Sequence, residues 1–289
     1  MKLKQKLFAL AGVMGLGLAG SAAALPTITN LDGAFDPFGG FDWDPSGTVM
    51  TVGPVTHGSS VTSYFMGFAV GVSASGGGPF STPNMKLGQT DPTGTYEYTS
   101  YVAITETVYC VPSSSPFFHL IPTGNACGQS AVFENPTGTW SIYYDTSPDA
   151  NVVTGAGIAD GVLLIQGNVT SGGGAFSLNT TGGGSGSFEY NGNVTYTNSS
   201  FISPSLLSST AGALLSFGTS TTNWTQPASF SNGMSGGTVA LPTGAIIFQA
   251  DGRQGFTAAS VPEPGAVALL GIAVAGLGIF GVRRKQLAA

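Results

Sequence analysis

The sequence predicts an all-β ectodomain, an antiparallel β-sandwich or barrel-like fold, flanked by an N-terminal signal peptide and a C-terminal transmembrane helix. Three observations predict it. Apolar and polar residues alternate in short runs bounded by glycine clusters, and no segment from 25 to 260 sustains a 3.6-residue apolar period. The apolar stretches that exceed strand length lie near the two ends of the chain.

At the N-terminal end, Lys2, Lys4 and Lys6 precede an apolar stretch from Leu7 to Ala19, and Ala22 and Ala24 form a small-x-small pair. Positive charge, a short apolar core and a small-residue cleavage site, in that order, are the parts of a secretory signal peptide. Residues 1–24 are therefore expected to be removed by signal peptidase, leaving an ectodomain over 25–260.

Inside the ectodomain the strand signal is clearest at 96–110. Tyr96, Tyr98, Val102, Ile104, Val108 and Cys110 share one parity, interrupted only by Ser100 and Glu106, which predicts a strand or a bent pair of strands. Trp140, Ile142 and Tyr144 repeat the pattern, as do Phe176 with Leu178 and Val194 with Tyr196. Gly76 to Gly78, Gly172 to Gly174 and Gly182 to Gly186 read as breaks between strands. Asn191-Gly192, set between Phe188 and Tyr196, predicts a tight hairpin, since Asn-Gly readily takes the positive φ values of a type I′ turn.

Charge narrows the partners. Residues 25–260 hold two cations, Lys86 and Arg253, against thirteen acids, a net charge near −11. Nucleic acid binding requires clustered Lys and Arg to neutralise phosphates, so no nucleic acid partner is expected. With so few charges, solubility falls to Ser, Thr, Asn and Gly. Cys110 and Cys127, the two cysteines of the chain, are expected to form a disulfide in an oxidising compartment, stabilising by roughly 3 kcal/mol through loop closure. A zinc site is the competing reading, and His57 and His119 are the two histidines it could recruit. Two free thiols are a third.

The candidate chemistry is sparse. Gly233-Met234-Ser235-Gly236-Gly237 fits G-x-S-x-G in form, but a nucleophile elbow needs a helix after the serine and a histidine later in the chain, and none follows His119. The expectation is no catalytic residue and no enzyme. Asp42, Asp44 and Ser46, followed by Gly47, place oxygen ligands at alternate positions as in the first half of a calcium loop, with Asp32 and Asp36 upstream. The acid due twelve positions in is replaced by Gly53, so the stretch reads as an Asp-rich turn with weak calcium binding as the alternative, and no other cofactor is expected. Asp145, Asp149 and Asp160 mark a second acidic, turn-rich region, where Asx turns are the simplest role. Trp43, Trp140 and Trp224 are candidates for stacking on sugar rings, with core packing the plainer reading.

At the C-terminal end, Val261-Pro262-Glu263-Pro264 precedes an uncharged stretch from Gly265 to Val282, and Arg283, Arg284 and Lys285 follow. As a helix the stretch reaches roughly 27 Å, close to a bilayer core, and the basic cluster is retained on the cytoplasmic side. Residues 286–289 form a short tail.

Motif, span and basic cluster, in this order, resemble the C-terminal sorting signal of PEP-CTERM proteins, which exosortases process in Gram-negative, exopolysaccharide-producing bacteria. The resemblance implies a precursor anchored in the inner membrane over 261–285, exosortase as a partner, and delivery to the cell surface or extracellular matrix. The stretch "YYDTSPDANVVTGAGIADGVLLIQG", with "FISPSLLSSTAG" and "FGTSTTNWTQP", is similar to flocculation-associated members of that group. That likeness implies a non-enzymatic role in aggregation or biofilm formation, with exopolysaccharide or other cells as partners. A lectin-like carbohydrate-binding module and a secreted hydrolase are the alternatives.

Overall fold

A computed structural model describes residues 25–89, 91, 93–111, 124, 126–127, 130–178, 184–207, 209–218, 229–231, 238–240 and 246–257. The expected signal peptide with Ala22 and Ala24, the sorting region 261–285 and tail, His119, the Gly233–Gly237 motif and Trp224 lie outside the described residues.

The described residues form thirteen strands and no helix. In chain order they are β1 (Thr27–Asn30), β2 (Gly33–Phe35), β3 (Phe38–Val52), β4 (Ser60–Ala74), β5 (Glu97–Cys110), β6 (Ser130–Asp145), β7 (Val162–Leu178), β8 (Gly184–Thr197), β9 (Ile202–Ser203), β10 (Thr210–Gly218), β11 (Ser229–Ser231), β12 (Thr238–Ala240) and β13 (Ile246–Thr257). Eight of them close into an antiparallel barrel in the order β10-β13-β3-β4-β5-β6-β7-β8. Each barrel strand pairs with the next barrel strand along the chain, and β13 returns to β3, so the barrel is an up-and-down meander. β11 and β12 pair as a separate two-stranded ribbon.

One parity of each strand fills the interior. In β5, Tyr98, Val102, Ile104 and Val108 are buried in the same core as Phe41, Trp43, Phe65, Phe133, Trp140, Phe176, Tyr190 and Phe248 from the other strands. The opposite parity on β7, β8 and β13 is exposed and polar, with Asn168, Thr170, Ser187, Asn191, Thr195 and Thr257 facing outward. A membrane barrel shows the reverse arrangement, apolar outside and polar within.

Where β3 begins, a small sheet in the order β2-β1-β9 caps the barrel. Its Ile28, Phe35 and Ile202 join the interior core. The Asn30 side-chain amide donates to the hydroxyls of Tyr98 at 2.8 Å and Tyr96 at 3.2 Å, and Tyr96 in turn donates to Asp32 at 2.7 Å. On the outside, the connections after β4 and β6 fold back over the wall. Ala150, Val152 and Ile158 cover Met66, Phe68 and Tyr101 in a second, smaller core.

Two expectations are corrected. Asn191-Gly192 does not turn: both lie in mid-strand in β8, paired to β7 and β10. Gly172 to Gly174 likewise continue β7, and Gly184 to Gly186 begin β8. The physical reason is close approach. The Trp140 indole lies against β7 and β8, where a Cβ at Gly167 would sit 2.2 Å from its Cζ2 and one at Gly192 would sit 2.9 Å from its Nε1. Glycine is required there by the ring together with the carbonyls of the neighbouring strand, Asn193 O at Gly167 and Asn168 O at Gly192. Residues 97–110, in contrast, form one strand as their alternation predicts, while Tyr196 keeps its parity but is exposed.

Gly167→Ala should therefore displace Trp140 and lower stability by about 1–3 kcal/mol. Chemical denaturation followed by tryptophan fluorescence reads this directly, and an unchanged midpoint would contradict the packing described.

Candidate functional site

At the barrel end opposite the cap, the connection after β3 folds over the end of β5. Gly58 N donates to the Val108 carbonyl, and Val108 N donates to Ser59 O. Cys110 and Cys127 form the expected disulfide, which excludes both the zinc and the free-thiol readings. His57 is buried beside it, and its Nδ1 accepts the Cys110 backbone N–H at 3.1 Å. That nitrogen is engaged in holding the loop.

Just inside this end lies a cavity of about 40 Å³, more than twice the roughly 10–15 Å³ that one water needs. Its walls carry Phe65, Phe133, Phe176, Phe188 and Phe248, with Glu106 among them. Thr51 and Ser63 also line it, and their hydroxyls are 3.0 Å apart. Glu106 is 4% exposed. Burial alone pushes its carboxyl up to about 8. The residue is legible in the sequence only as one of two polar interruptions on the inward parity of β5; the alternation marks where it points, and nothing in the sequence shows what surrounds it.

A second ionisable cluster sits outside the barrel wall. Lys86 and Glu97 form an ion pair at 3.1 Å with both side chains buried. The other Glu97 oxygen accepts the backbone N–H groups of Asp149 at 2.8 Å and Ala150 at 2.7 Å, and Lys86 donates to the Ala150 carbonyl at 3.1 Å. Burial pushes Glu97 upward, opposed by the Ala150 amide and Lys86. Oxygens of Glu97, Asp145 and Asp149 lie within 4.8 Å of one another. Lys86 already supplies a positive charge there, so the cluster reads as an anchor for the 146–161 connection. Asp145 also accepts Ser147 N at 2.8 Å, an Asx turn as expected from the sequence.

The calcium candidates are not gathered at one point. Asp44 and Ser46 come together where β3 bulges, with Asp44 Oδ1 accepting the Ser46 N–H at 2.6 Å and the Ser46 hydroxyl as well. Asp42 stands opposite Arg253 of β13. Asp32 is engaged by Tyr96 and Asn84 at the cap, and Asp36 is exposed. Trp43 and Trp140 are buried at 1% and 0% exposure, inside the core.

Two outcomes follow from these carboxyls. Lys86→Met leaves Glu97 buried without its cation and should cost about 3–5 kcal/mol, most of it recovered in Lys86→Met/Glu97→Gln; thermal unfolding of the two variants checks this. For Glu106, the folded protein keeps a proton that an unfolded glutamate, titrating near 4.5, has released. Its contribution to stability is fully present below about pH 4 and is lost as pH rises toward about 8. Denaturation midpoints measured across that range should show Glu106→Gln gaining on the wild type by a few kcal/mol at the alkaline end.

Comparison with known proteins identifies one region. Residues 260–285 match the PEP-CTERM protein-sorting motif, and they include Val261, Pro262, Glu263, Pro264, Arg283, Arg284 and Lys285. No curated protein and no solved structure matches the chain. The barrel thus belongs to a chain that carries a PEP-CTERM sorting signal, which marks it as an exported protein, processed by exosortase from a membrane-anchored precursor and sorted to the cell surface.

Proposed function

We propose that this protein is a non-enzymatic component of the cell surface or extracellular matrix that promotes aggregation of cells, through contacts with exopolysaccharide or with other cells. The observation that carries the reading is the outer wall of β7, β8, β10 and β13. Neighbouring strands there expose Asn168, Thr170, Ser187, Asn191, Thr195 and Thr210, neutral hydroxyl and amide groups, with Glu189, Asp251 and Arg253 as the exposed charges among the described residues of that wall. Such a surface hydrogen-bonds to neutral polysaccharide without the repulsion that a dense negative patch would meet. Each contact is weak, and display of many copies on a cell multiplies them.

Burial of Trp43 and Trp140 favours these distributed contacts over a lectin-like module built on either ring. Engagement of His57 Nδ1 by Cys110 favours a structural histidine over the base of a secreted hydrolase. The role requires no catalytic residue and no cofactor, and weak calcium binding near Asp42, Asp44 and Ser46 is compatible with it.

A strain lacking the protein should grow at the normal rate yet sediment more slowly and form less aggregate, and re-expression of the full chain should restore both. Normal aggregation in the deletion strain would refute the proposal. A re-expressed chain in which Asn168, Thr170 and Asn191 are all replaced by Asp should reach the surface but restore aggregation poorly.

A further inference from the structure

The two most deeply buried carboxylates of the domain are treated in opposite ways. Glu97 has an ammonium and two backbone N–H groups. Glu106, also buried, has neither a hydrogen bond nor an ion pair among the described residues. Burying a carboxyl without partners is costly. Packing does not demand it: Ile104 and Val108, two positions to either side on the same inward parity, are apolar and buried. The acid is also not lost in a filled core, because it faces a cavity.

The chemistry around that cavity selects a ligand class. Five phenylalanines line it, and the negative face of an aromatic ring attracts a cation. The Thr51 and Ser63 hydroxyls offer acceptor lone pairs on the wall of the same cavity. Neither cation of the ectodomain serves this site: Lys86 is committed to Glu97, and Arg253 stands opposite Asp42. The net charge near −11 over residues 25–260 draws cations toward the domain. Aromatic walls around one carboxyl with added hydroxyl acceptors match a primary ammonium on a short alkyl chain. An anion would find hydroxyl donors but no cation among the lining residues to balance its charge.

We propose that the barrel interior binds a small organic cation, a primary alkylammonium of a few carbons, with its ammonium on Glu106 and its alkyl chain against the phenylalanines. Burial holds Glu106 as the neutral acid at neutral pH, so binding of the cation expels that proton to solvent and leaves a carboxylate–ammonium pair. Affinity accordingly rises with pH, about tenfold per unit, until Glu106 is already ionised. Among the residues lining the cavity from β3, β4, β6, β7, β8 and β13, Tyr64 is the other titratable group.

Titration calorimetry on the purified full-length protein with n-propylammonium, n-propanol and propionate tests this. The expected result is saturable binding of n-propylammonium at one site, release of close to one proton per ligand at pH 6.5, read from buffers of different ionisation enthalpy, and little release at pH 9. n-Propanol should bind at least tenfold more weakly, and propionate not at all. Glu106→Gln should lose at least tenfold in affinity together with the proton release, and Ser63→Ala, which keeps the acid, should lose a few-fold while retaining the release. Should Glu106→Gln fail to fold, the proton count on the wild type decides. Binding of n-propanol as tight as that of n-propylammonium, binding without proton release at pH 6.5, or no binding of the amine would each overturn the proposal.

Discussion

Closure of the sheet, where β13 pairs with β3, is the constraint on which the remaining features depend. Once eight strands form a ring, one face of every strand points into a shared interior, and that interior must be filled by side chains. Here aromatic residues fill most of it, with Trp43, Trp140, Tyr98 and Tyr190 all buried. Large rings on one strand leave no room for side chains on the strand they lie against. Gly167 and Gly192 under Trp140, and Gly184 under Phe176, are the complement of those rings. The high glycine content is thus in part a packing requirement of a narrow barrel and only in part turn chemistry.

Closure also governs where polar groups can go. Outside the wall, a buried acid finds a partner, because the connections after β4 and β6 reach back over the barrel and bring Lys86 and the Asp149 and Ala150 amides to Glu97. Among the described residues, no loop enters the interior in the same way. The cavity that Glu106 faces is lined, among those residues, by strand residues, chiefly phenylalanine and aliphatic side chains with the Tyr64, Thr51 and Ser63 hydroxyls. The two acids differ by nine positions along one strand, an odd number, and that single change of parity decides which of them is neutralised.

The exterior follows from the same alternation. With apolar residues used inside, the outward positions of β7 and β8 carry mainly Ser, Thr, Asn and Gly, with Glu189 as an exposed acid among them. A wall made mostly of neutral hydroxyl and amide groups, with few charges, stays hydrated without strong self-repulsion. That suits an exported domain sorted to the cell surface. The cap sheet and the disulfide then hold the two ends of the barrel.

Much of this was legible along the chain. The parity of residues 96–110 identified β5 and, through Ser100 and Glu106, its two inward polar positions, while Val261 to Lys285 announced the sorting signal. The two cysteines pointed to their own pairing. Such features depend on residues close in sequence or on composition, so the chain alone determines them. Asn191-Gly192 misled because an Asn-Gly pair that suits a turn also suits a strand pressed against an indole, and only the neighbour across the sheet distinguishes the two. Barrel rather than sandwich, glycine as a seat rather than a hinge, and Glu97 paired while Glu106 stands alone were decided by tertiary structure, because each depends on contacts between strands far apart in the chain that exist only once the ring has closed.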